Sequence, residues 1–330
     1  MLETKDIAIV ILNWNGKNLL KQFLPSVISY SQNAMIYVAD NASTDDSVAF
    51  VSATYPSIKI IKNSENGGYA KGYNDALKYV AEPIFCLLNS DVEVTENWLQ
   101  PIVNQFNEDS GTAIIQPKIL DYNNKDYFEY AGAAGGFVDH YGYPYCRGRI
   151  FNTIEKDEGQ YNDISPIFWA SGACLFTRKS IFEELKGFDE SFFAHMEEID
   201  LCWRAYNKNY KTVYVGTTSI YHVGGATLKN TNPRKTFLNF RNSLSTLVKN
   251  AHGSIYWKAL ARMILDAVAF FMFLFQLKPM HAFSILKAHI SFYAQLPIIL
   301  KKRNNSSQRA HYSDSKSIVW SYFISKRRRF

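Results

Sequence analysis

The chain has 330 residues, 47% hydrophobic and 15% aromatic, with 36 Lys and Arg against 30 Asp and Glu for a net charge of +6. That composition excludes a disordered or fibrous chain and suffices for one large buried core with an appendage. The four cysteines, Cys86, Cys146, Cys174 and Cys202, form no Cys-x-x-Cys pair, so neither a zinc ribbon nor a disulfide frame is expected, and they read as thiols of a reducing cytoplasm.

The first ninety residues alternate strand and helix signals. Met1 to Asp6 leads straight into a strand at Ile7–Leu12, without the apolar stretch of a signal peptide, so a cytoplasmic protein is expected. A helix follows over Lys17–Ser31, then a strand over Met35–Ala39 that ends in Asp40-Asn41-Ala42-Ser43. A helix from Thr44 to Tyr55 has an acidic first turn that suits its dipole. A strand at Ile58–Lys62, a helix at Ala70–Val80 and a fourth strand at Ile84–Leu88 complete the series. The order β-α-β-α-β-α-β predicts a doubly wound parallel sheet. Beyond it the spacing predicts a helix over Glu96–Phe106, an irregular Gly-, Tyr- and Asn-rich stretch from Gly111 to Tyr161 that reads as functional loops, a strand over Ile167–Thr177, a helix over Glu197–Lys208 and a strand over Thr212–Val215.

The tail differs. Residues 255–330 hold 13 basic and 2 acidic residues, net +11, leaving residues 1–254 with 23 basic against 28 acidic, net −5. The apolar run Ala267–Phe275 is shorter than the roughly 20 residues a spanning helix needs, and an amphipathic stretch, Phe283–Leu300, ends in Lys301-Lys302-Arg303. Apolar faces with cationic ends favour helices lying on an anionic membrane surface; a helical subdomain packed on the core, or a homodimer interface, is the alternative. The expected division is therefore a catalytic domain over 1–254, with a nucleotide-binding half 1–110 and an acceptor half 111–254, followed by the tail.

Chemistry concentrates where the predicted strands end. Ile84-Phe85-Cys86-Leu87-Leu88 runs into Asn89-Ser90-Asp91-Val92-Glu93, and the carboxyl ends of strands in open α/β sheets are where ligands bind. Clustered carboxylates there attract a hard divalent cation such as Mg or Mn, although a polar turn ahead of the next helix would read the same way. Asp40 could accept a hydrogen bond from a nucleobase or ribose, or simply form a turn. In Asn66-Gly67-Gly68-Tyr69-Ala70-Lys71, the two glycines allow close backbone approach to a ligand at a helix start, and Lys71 could offset phosphate charge. Within His195-Met196-Glu197-Glu198-Ile199-Asp200-Leu201-Cys202-Trp203-Arg204, helical spacing puts Glu197, Asp200 and Arg204 on one face and Glu198 on another, so one carboxylate can pair with Arg204 while another serves as a general base. His222, followed by Gly224 and Gly225, ends a strand. Trp169, ahead of Gly172, could offer a sugar an aromatic wall or sit in the core.

Taken in order, Val-Ile-Leu-Asn-Trp-Asn-Gly, Val-Ala-Asp-Asn-Ala-Ser-Thr-Asp, Asn-Gly-Gly-Tyr-Ala-Lys-Gly-Tyr-Asn, Leu-Asn-Ser-Asp-Val-Glu, Trp-Ala-Ser-Gly-Ala and Glu-Glu-Ile-Asp-Leu-Cys-Trp-Arg resemble the family 2 glycosyltransferases, inverting enzymes of GT-A fold, and within them the bacterial rhamnosyltransferase-like branch. The resemblance covers Ile7 to Gly225. It implies that Asp40 meets the nucleotide base and ribose with Asn13 and Asn15 beside it. It also implies that Asn89-Ser90-Asp91 occupies the family's DXD position with Asp91 as metal ligand, that His222 completes the metal site, and that Glu198 is the base, with Glu197 or Asp200 as substitutes. Two positions depart from the family pattern: Asn89 stands where the first DXD acid is expected, and Glu198 is the longer acid at the base position. The implied donor is a dTDP-, UDP- or GDP-sugar and the acceptor a lipid-linked or polysaccharide glycan, handled at the inner face of the cell membrane. A sugar-1-phosphate nucleotidyltransferase is the rival in the same fold, but Asn13-Trp14-Asn15-Gly16-Lys17 lacks a triphosphate-holding loop. A non-catalytic sugar-nucleotide scaffold is the rival outside enzymes. Nucleic acid is a poor match for the tail's apolar helices.

Overall fold

The structure, a computed structural model, describes residues 1–224, 232–304 and 308–330; Gly225 lies outside them. Strands β1 (Ile7–Asn13), β2 (Met35–Asp40), β3 (Lys59–Lys62) and β4 (Ile84–Asn89) lie parallel in the order β3-β2-β1-β4. Helices α1 (Lys17–Tyr30), α2 (Ser47–Thr54) and α3 (Gly68–Leu77) connect them, as the alternating pattern predicts. β1 is buried at every position but Leu12 because it sits between two strands and beneath helices, which is why it reads as a continuous apolar run. α1 presents Leu20, Phe23, Leu24 and Val27 to the sheet at three- and four-residue spacing.

The chain then departs from expectation in four places. Val92–Val94 is a short strand, β5, and the following helix α4 starts later than predicted, at Gln100–Glu108. The stretch expected to be irregular opens with a ten-residue strand, β6 (Thr112–Asp121), buried along nearly its whole length. Polar Gln116, Pro117 and Lys118 interrupt its apolar run, and each polar side chain is satisfied inside: Gln116 Nε2 donates to Gly132 O at 3.1 Å, and Lys118 pairs with Asp157 at 2.7 Å. A small antiparallel sheet follows, of β7 (Gly136–Val138), β8 (Pro144–Cys146), β9 (Arg149–Ile150) and β10 (Thr153–Ile154). The single strand expected over Ile167–Thr177 is two, β11 (Ile164–Ile167) and β12 (Cys174–Arg178). After α5 (Lys179–Glu184) and α6 (Glu197–Asn207), the last strand, β13 (Lys211–His222), is three times the expected length.

β12 runs antiparallel to β4 and β6, and β6 runs parallel to β13, giving the large-sheet order β11-β13-β6-β12-β4-β1-β2-β3 with β5 on β13. This is the α/β, GT-A type architecture with C-terminal helices. Those helices are α7 (Pro233–Asn250), α8 (Ile255–Phe275), α9 (Pro279–Lys302) and α10 (Ile318–Phe323). Leu244 and Val248 of α7, Ile255 of α8, and Phe292 and Ile299 of α9 share one apolar cluster. The segment after α9 returns to the small sheet, where Tyr322 Oη lies 3.0 Å from Thr153 Oγ1 and Tyr312 donates to His140 O at 2.7 Å.

Candidate active site

Strand register brings the predicted residues to one edge. Asn13 of β1 lies opposite Asp40 of β2, and Leu12 lies opposite Asn89 of β4, so the carboxyl ends of three adjacent parallel strands form a common floor. On that floor Asn13 Nδ2 donates to Asp40 Oδ1 at 3.1 Å and Ser47 Oγ at 2.9 Å, while Ser43 N donates to Asp40 Oδ2 at 3.0 Å. Asn13 Oδ1 is buried without a partner. Asn15 is left-handed at φ 51° and its Oδ1 accepts from Thr44 N at 2.7 Å, which ties the first loop to the second. Asn41, which the sequence reading passed over, is buried and donates to Asn66 Oδ1 at 3.0 Å while accepting from Asn63 Nδ2 at 3.1 Å, joining β2, β3 and α3 in one amide cluster.

The loop Asn66-Gly67-Gly68 opens α3, with Asn66 exposed and Gly68 buried against the segment ahead of α6. Gly68 has φ +79°, and a Cβ there would stand 2.3 Å from Phe193 O, so only glycine lets this loop meet the segment ahead of α6. Tyr69 N donates to that same carbonyl at 2.8 Å, and Tyr69 Oη donates to Gly172 O at 2.8 Å. Gly172 is thus an anchor for Tyr69. Lys71 does not face this loop's interior: it pairs with Asp75, and with Glu65 at 3.6 Å, near the surface. Trp169 is a core residue, 3% exposed, with its indole N–H donating to Phe137 O at 2.8 Å, so it presents no open ring face to a sugar.

β5 explains why Asp91 and His222 meet. It pairs Val92 with His222 at the end of β13, and Val223 N donates to Asp91 O at 3.1 Å. Asp91 and His222, each 5% exposed, then bring Oδ1 and Nε2 to 3.2 Å. Asn89 Nδ2 lies 3.4 Å from the same His222 nitrogen. Half-buried Ser90 sits between them in sequence, and Glu93 turns away to pair with Lys125. On the other side of the ring, Glu129 Oε1 is 3.5 Å from His222 Nδ1. Burial opposes charge on the imidazole, but the flanking Asp91 and Glu129 carboxylates outweigh it and raise His222 to about 10. Glu129 was not foreseen: it reaches the site because Phe128 bridges to Leu120 at the end of β6, a pairing with no local signal.

Asp91 and His222 are the side chains at the strand ends that could hold a divalent cation. Asp91 Oδ1 and His222 Nε2 lie 3.2 Å apart as an ion pair with the imidazole protonated, and a cation taken up beside Asp91 would have to displace that proton before the imidazole could serve as a ligand. Glu129 stands where a carboxylate orients a metal-binding imidazole through its second nitrogen. Among the described residues no cluster of three His, Cys, Asp or Glu side chains forms a cation cage, so a cation here would take its other ligands from substrate phosphates and water, as Mg commonly does.

The acidic helix α6 carries the other candidate carboxylates. Asp200 is fully buried and fully employed: Arg204 Nε at 2.8 Å, Lys249 Nζ at 2.9 Å and Asn250 Nδ2 at 2.8 Å all donate to it. Burial works against its charge, but Lys249 and Arg204 hold it below the usual carboxylate range. It is a structural anion. Glu197 and Glu198 differ from it, since each has one carboxyl oxygen buried without a partner. Burial, and then the neighbouring Glu198 charge, pushes Glu197 well above the usual range, whereas burial raises Glu198 to about 7. Glu198 is the less buried of the two. Phe193, His195 and Met196, just ahead, all have positive φ, 63°, 70° and 76°, Phe193 at the centre of a γ-turn in which Ala194 N donates to Phe192 O at 2.7 Å, and such backbone costs non-glycine residues about 1–3 kcal/mol each.

The sequence pattern of the family described as Glycosyl transferase family 2 matches residues 8–186. The chain is 25% identical over 211 residues to the low-salt glycan biosynthesis hexosyltransferase Agl10 of Haloferax volcanii, covering 62% of each protein. It is 23% identical over 235 residues to the N-acetylglucosaminyl-diphospho-decaprenol L-rhamnosyltransferase of Mycobacterium tuberculosis, covering 66% of this chain and 76% of that one. Among solved structures it resembles S. aureus TarS 1-349 in complex with UDP-GlcNAc at a TM-score of 0.57 and 16% identity, over 90% of this chain and 83% of that one. The mannosyltransferase PcManGT of Pyrobaculum calidifontis, in complex with GDP-Man and Mn2+, aligns at a TM-score of 0.53 and 11% identity over 87% of both chains.

Proposed function

The chain belongs to glycosyl transferase family 2, and from that premise we propose that it moves a sugar from a nucleoside-diphosphate donor to a hydroxyl of a lipid-linked or polysaccharide acceptor, in one inverting displacement aided by a divalent cation. The observation that carries this reading is the pairing of two acidic clusters with opposite properties. Asp91, beside His222, sits at the strand ends, while Glu198, raised to about 7, stands on α6, whose leading segment is tied at Phe193 O to Tyr69 and through Tyr69 Oη to Gly172, next to the Ala173 carbonyl that Asn89 N bonds. Relatives named as hexosyl- and rhamnosyltransferases, the latter with a diphospho-decaprenol substrate, support the transferred group and acceptor class, and the Mn2+ and GDP-Man of PcManGT support the cation and donor.

In this mechanism Asn13, Asn15, Asp40 and the Asn66-Gly67-Gly68 loop shape the nucleotide side, with Asn89 and Ser90 beside the diphosphate. Asp91 and His222 would hold the cation, whose charge neutralises the departing diphosphate. Glu198 accepts the proton of the acceptor hydroxyl as its oxygen attacks the anomeric carbon, and the C–O bond to the diphosphate breaks on the opposite face. A carboxyl titrating near 7 suits a base working at neutral pH. The decisive experiment supplies dTDP-, UDP- and GDP-sugars with Mn2+, with and without an acceptor glycan, and follows nucleoside diphosphate release and the anomeric configuration of the product. Acceptor-dependent release with inversion is expected. A nucleotidyltransferase would instead consume nucleoside triphosphate and release pyrophosphate, and a scaffold would bind without turnover.

We further infer that α8 and α9 rest on an anionic membrane surface. Leu260, Ile264, Val268, Phe271 and Phe275 form an exposed stripe along α8, continued by Phe283, Ile290 and Tyr293 on α9. The opposite face is polar and bound to the small sheet: Asp266 Oδ1 accepts from Tyr143 Oη at 2.8 Å and Arg262 donates to Tyr141 O at 3.1 Å. α9 is, among the described residues, the one helix long and apolar enough to cross a bilayer by length and composition, yet α7 and α8 cover one of its sides. A hairpin clamped along one face and apolar along the other lies on a surface, and Lys278, Lys287, Lys301 and the Lys326–Arg329 run supply cations. Ile264→Asp with Phe271→Asp is expected to weaken sedimentation with vesicles containing one-third anionic phospholipid by about 100-fold, since each apolar side chain contributes about 1.5–3 kcal/mol, while leaving transfer to a soluble acceptor intact. Unchanged vesicle binding would remove the hairpin as the anchor.

A further inference from the structure

A base must stand at one place, and the segment leading into Glu198 is held there against its own preference. Phe193, His195 and Met196 have positive φ without being glycine, and α6 contributes no side-chain cap to enforce that shape. Tyr69 N takes the carbonyl of Phe193, and α7 takes those on either side of it. Asn242, fully buried, donates through Nδ2 to Phe192 O, Ala194 O and His195 O at 3.0, 3.0 and 2.8 Å. Its orientation is decided by Arg241, whose Nε donates to Asn242 Oδ1 at 2.8 Å and whose Nη2 reaches Ser191 O at 3.1 Å and Phe192 O at 3.2 Å. Two turns further along the same helix, Lys249 and Asn250 grip Asp200. One helix therefore holds both the loop before the base and the first turn that carries it.

We propose that Asn242 is a positioning residue for sugar transfer, gathering the carbonyls of residues 192, 194 and 195 so that Glu198 is aimed at the acceptor hydroxyl. Carbonyl oxygens repel one another, and a donor amide, its two N–H groups shared among the three, draws them together. Without it the loop relaxes toward negative φ and carries the start of α6 with it. The inference rests on Glu198 being the base.

The experiment compares Asn242→Ala, Arg241→Lys, Glu198→Gln and the Glu198→Gln/Asn242→Ala double variant in the full-length protein. Thr246→Ala serves as control, a buried α7 hydroxyl without a hydrogen-bond partner. Readouts are kcat, nucleoside diphosphate affinity by calorimetry, and the pH dependence of kcat. A displacement of about 1 Å costs about 100-fold in rate, so Asn242→Ala is expected to lose about that much kcat, to keep nucleotide affinity within about threefold, and to shift the acidic limb of the kcat profile. Arg241→Lys keeps charge and stem but loses the fork, and is expected to lose about tenfold; it carries the test if Asn242→Ala does not fold. Thr246→Ala should stay within about twofold. The double variant should fall no lower than Glu198→Gln alone, because a base that is absent cannot be mispositioned. Near-normal kcat in Asn242→Ala and Arg241→Lys, or a further full loss in the double variant, overturns the proposal while a dead Glu198→Gln upholds the base assignment. Normal turnover in Glu198→Gln instead overturns that assignment and this proposal with it.

Discussion

Asp91→Ala is expected to lower sugar transfer by about a thousandfold or more, because charge neutralisation by a metal ion supplies several kcal/mol of transition-state stabilisation. The backbone carbonyl of Asp91 keeps its bond from Val223 N, and β5 keeps its register with β13, but buried His222 loses the nearer of its two carboxylate partners. The variant should therefore melt lower as well, and the loss of Mn2+-dependent nucleotide affinity separates the catalytic effect from that cost. Nucleotide affinity measured with Mn2+ should fall in the variant to the value that EDTA gives the unaltered protein. Asn89→Ala is expected to cost about tenfold at most, since a neutral amide contributes less than a carboxylate and Asn89 Nδ2 stands 3.4 Å from the His222 nitrogen that faces Asp91. If Asn89→Ala were the deadlier variant, the cation would have to be assigned to the Asn89 side of His222. If Asp91→Ala kept near-normal, Mn2+-stimulated transfer, the strand-end site would lose its role.

The sequence made the parallel half of the sheet legible because strands buried on both faces are unbroken apolar runs, and their polar ends mark the floor of the cleft. Asn13, Asp40, Asn89 and Asp91 converge for that reason. β6 escaped because Gln116 and Lys118, polar in sequence, are buried with internal partners. Glu129 escaped because its link to His222 is purely tertiary. Lys71 turns from the loop to Asp75, and Trp169 takes the core position that its sequence context leaves open beside the sugar-facing one, because neither spacing nor residue type says which way a side chain points. The α7 clamp was invisible for a different reason. Arg241-Asn242 on a helix reads as a solvated face, and left-handed His195 and Met196 carry no glycine to announce them. In the acidic helix, spacing alone left three candidate carboxylates; the cationic partners of Asp200 separate it from the other two.

Glu198→Gln is expected to lose about a thousandfold in kcat, within the range of about 10²–10⁴ for general-base assistance, while nucleotide affinity stays within about twofold. Its pH behaviour sharpens the assignment. Burial raises this carboxyl from 4.5 to about 7, so kcat of the unaltered enzyme should climb with pH and level off above about 7, and the residual rate of the Gln variant should lack that limb. The same shift bears on stability. The folded chain keeps its proton in the window where the unfolded chain has lost it, so the stability this group contributes is complete below about 4.5 and is lost as pH rises to about 7. Gln cannot ionise, so the variant should melt a few degrees higher than the parent at pH 8 and no higher at pH 4. A dead enzyme that is more stable at alkaline pH is the signature of a base kept in a site that resists its charge. Full turnover would move the role to Glu197, the other carboxyl with an unpartnered oxygen; full loss with no gain at pH 8 would mean that Glu198 is not held in that environment.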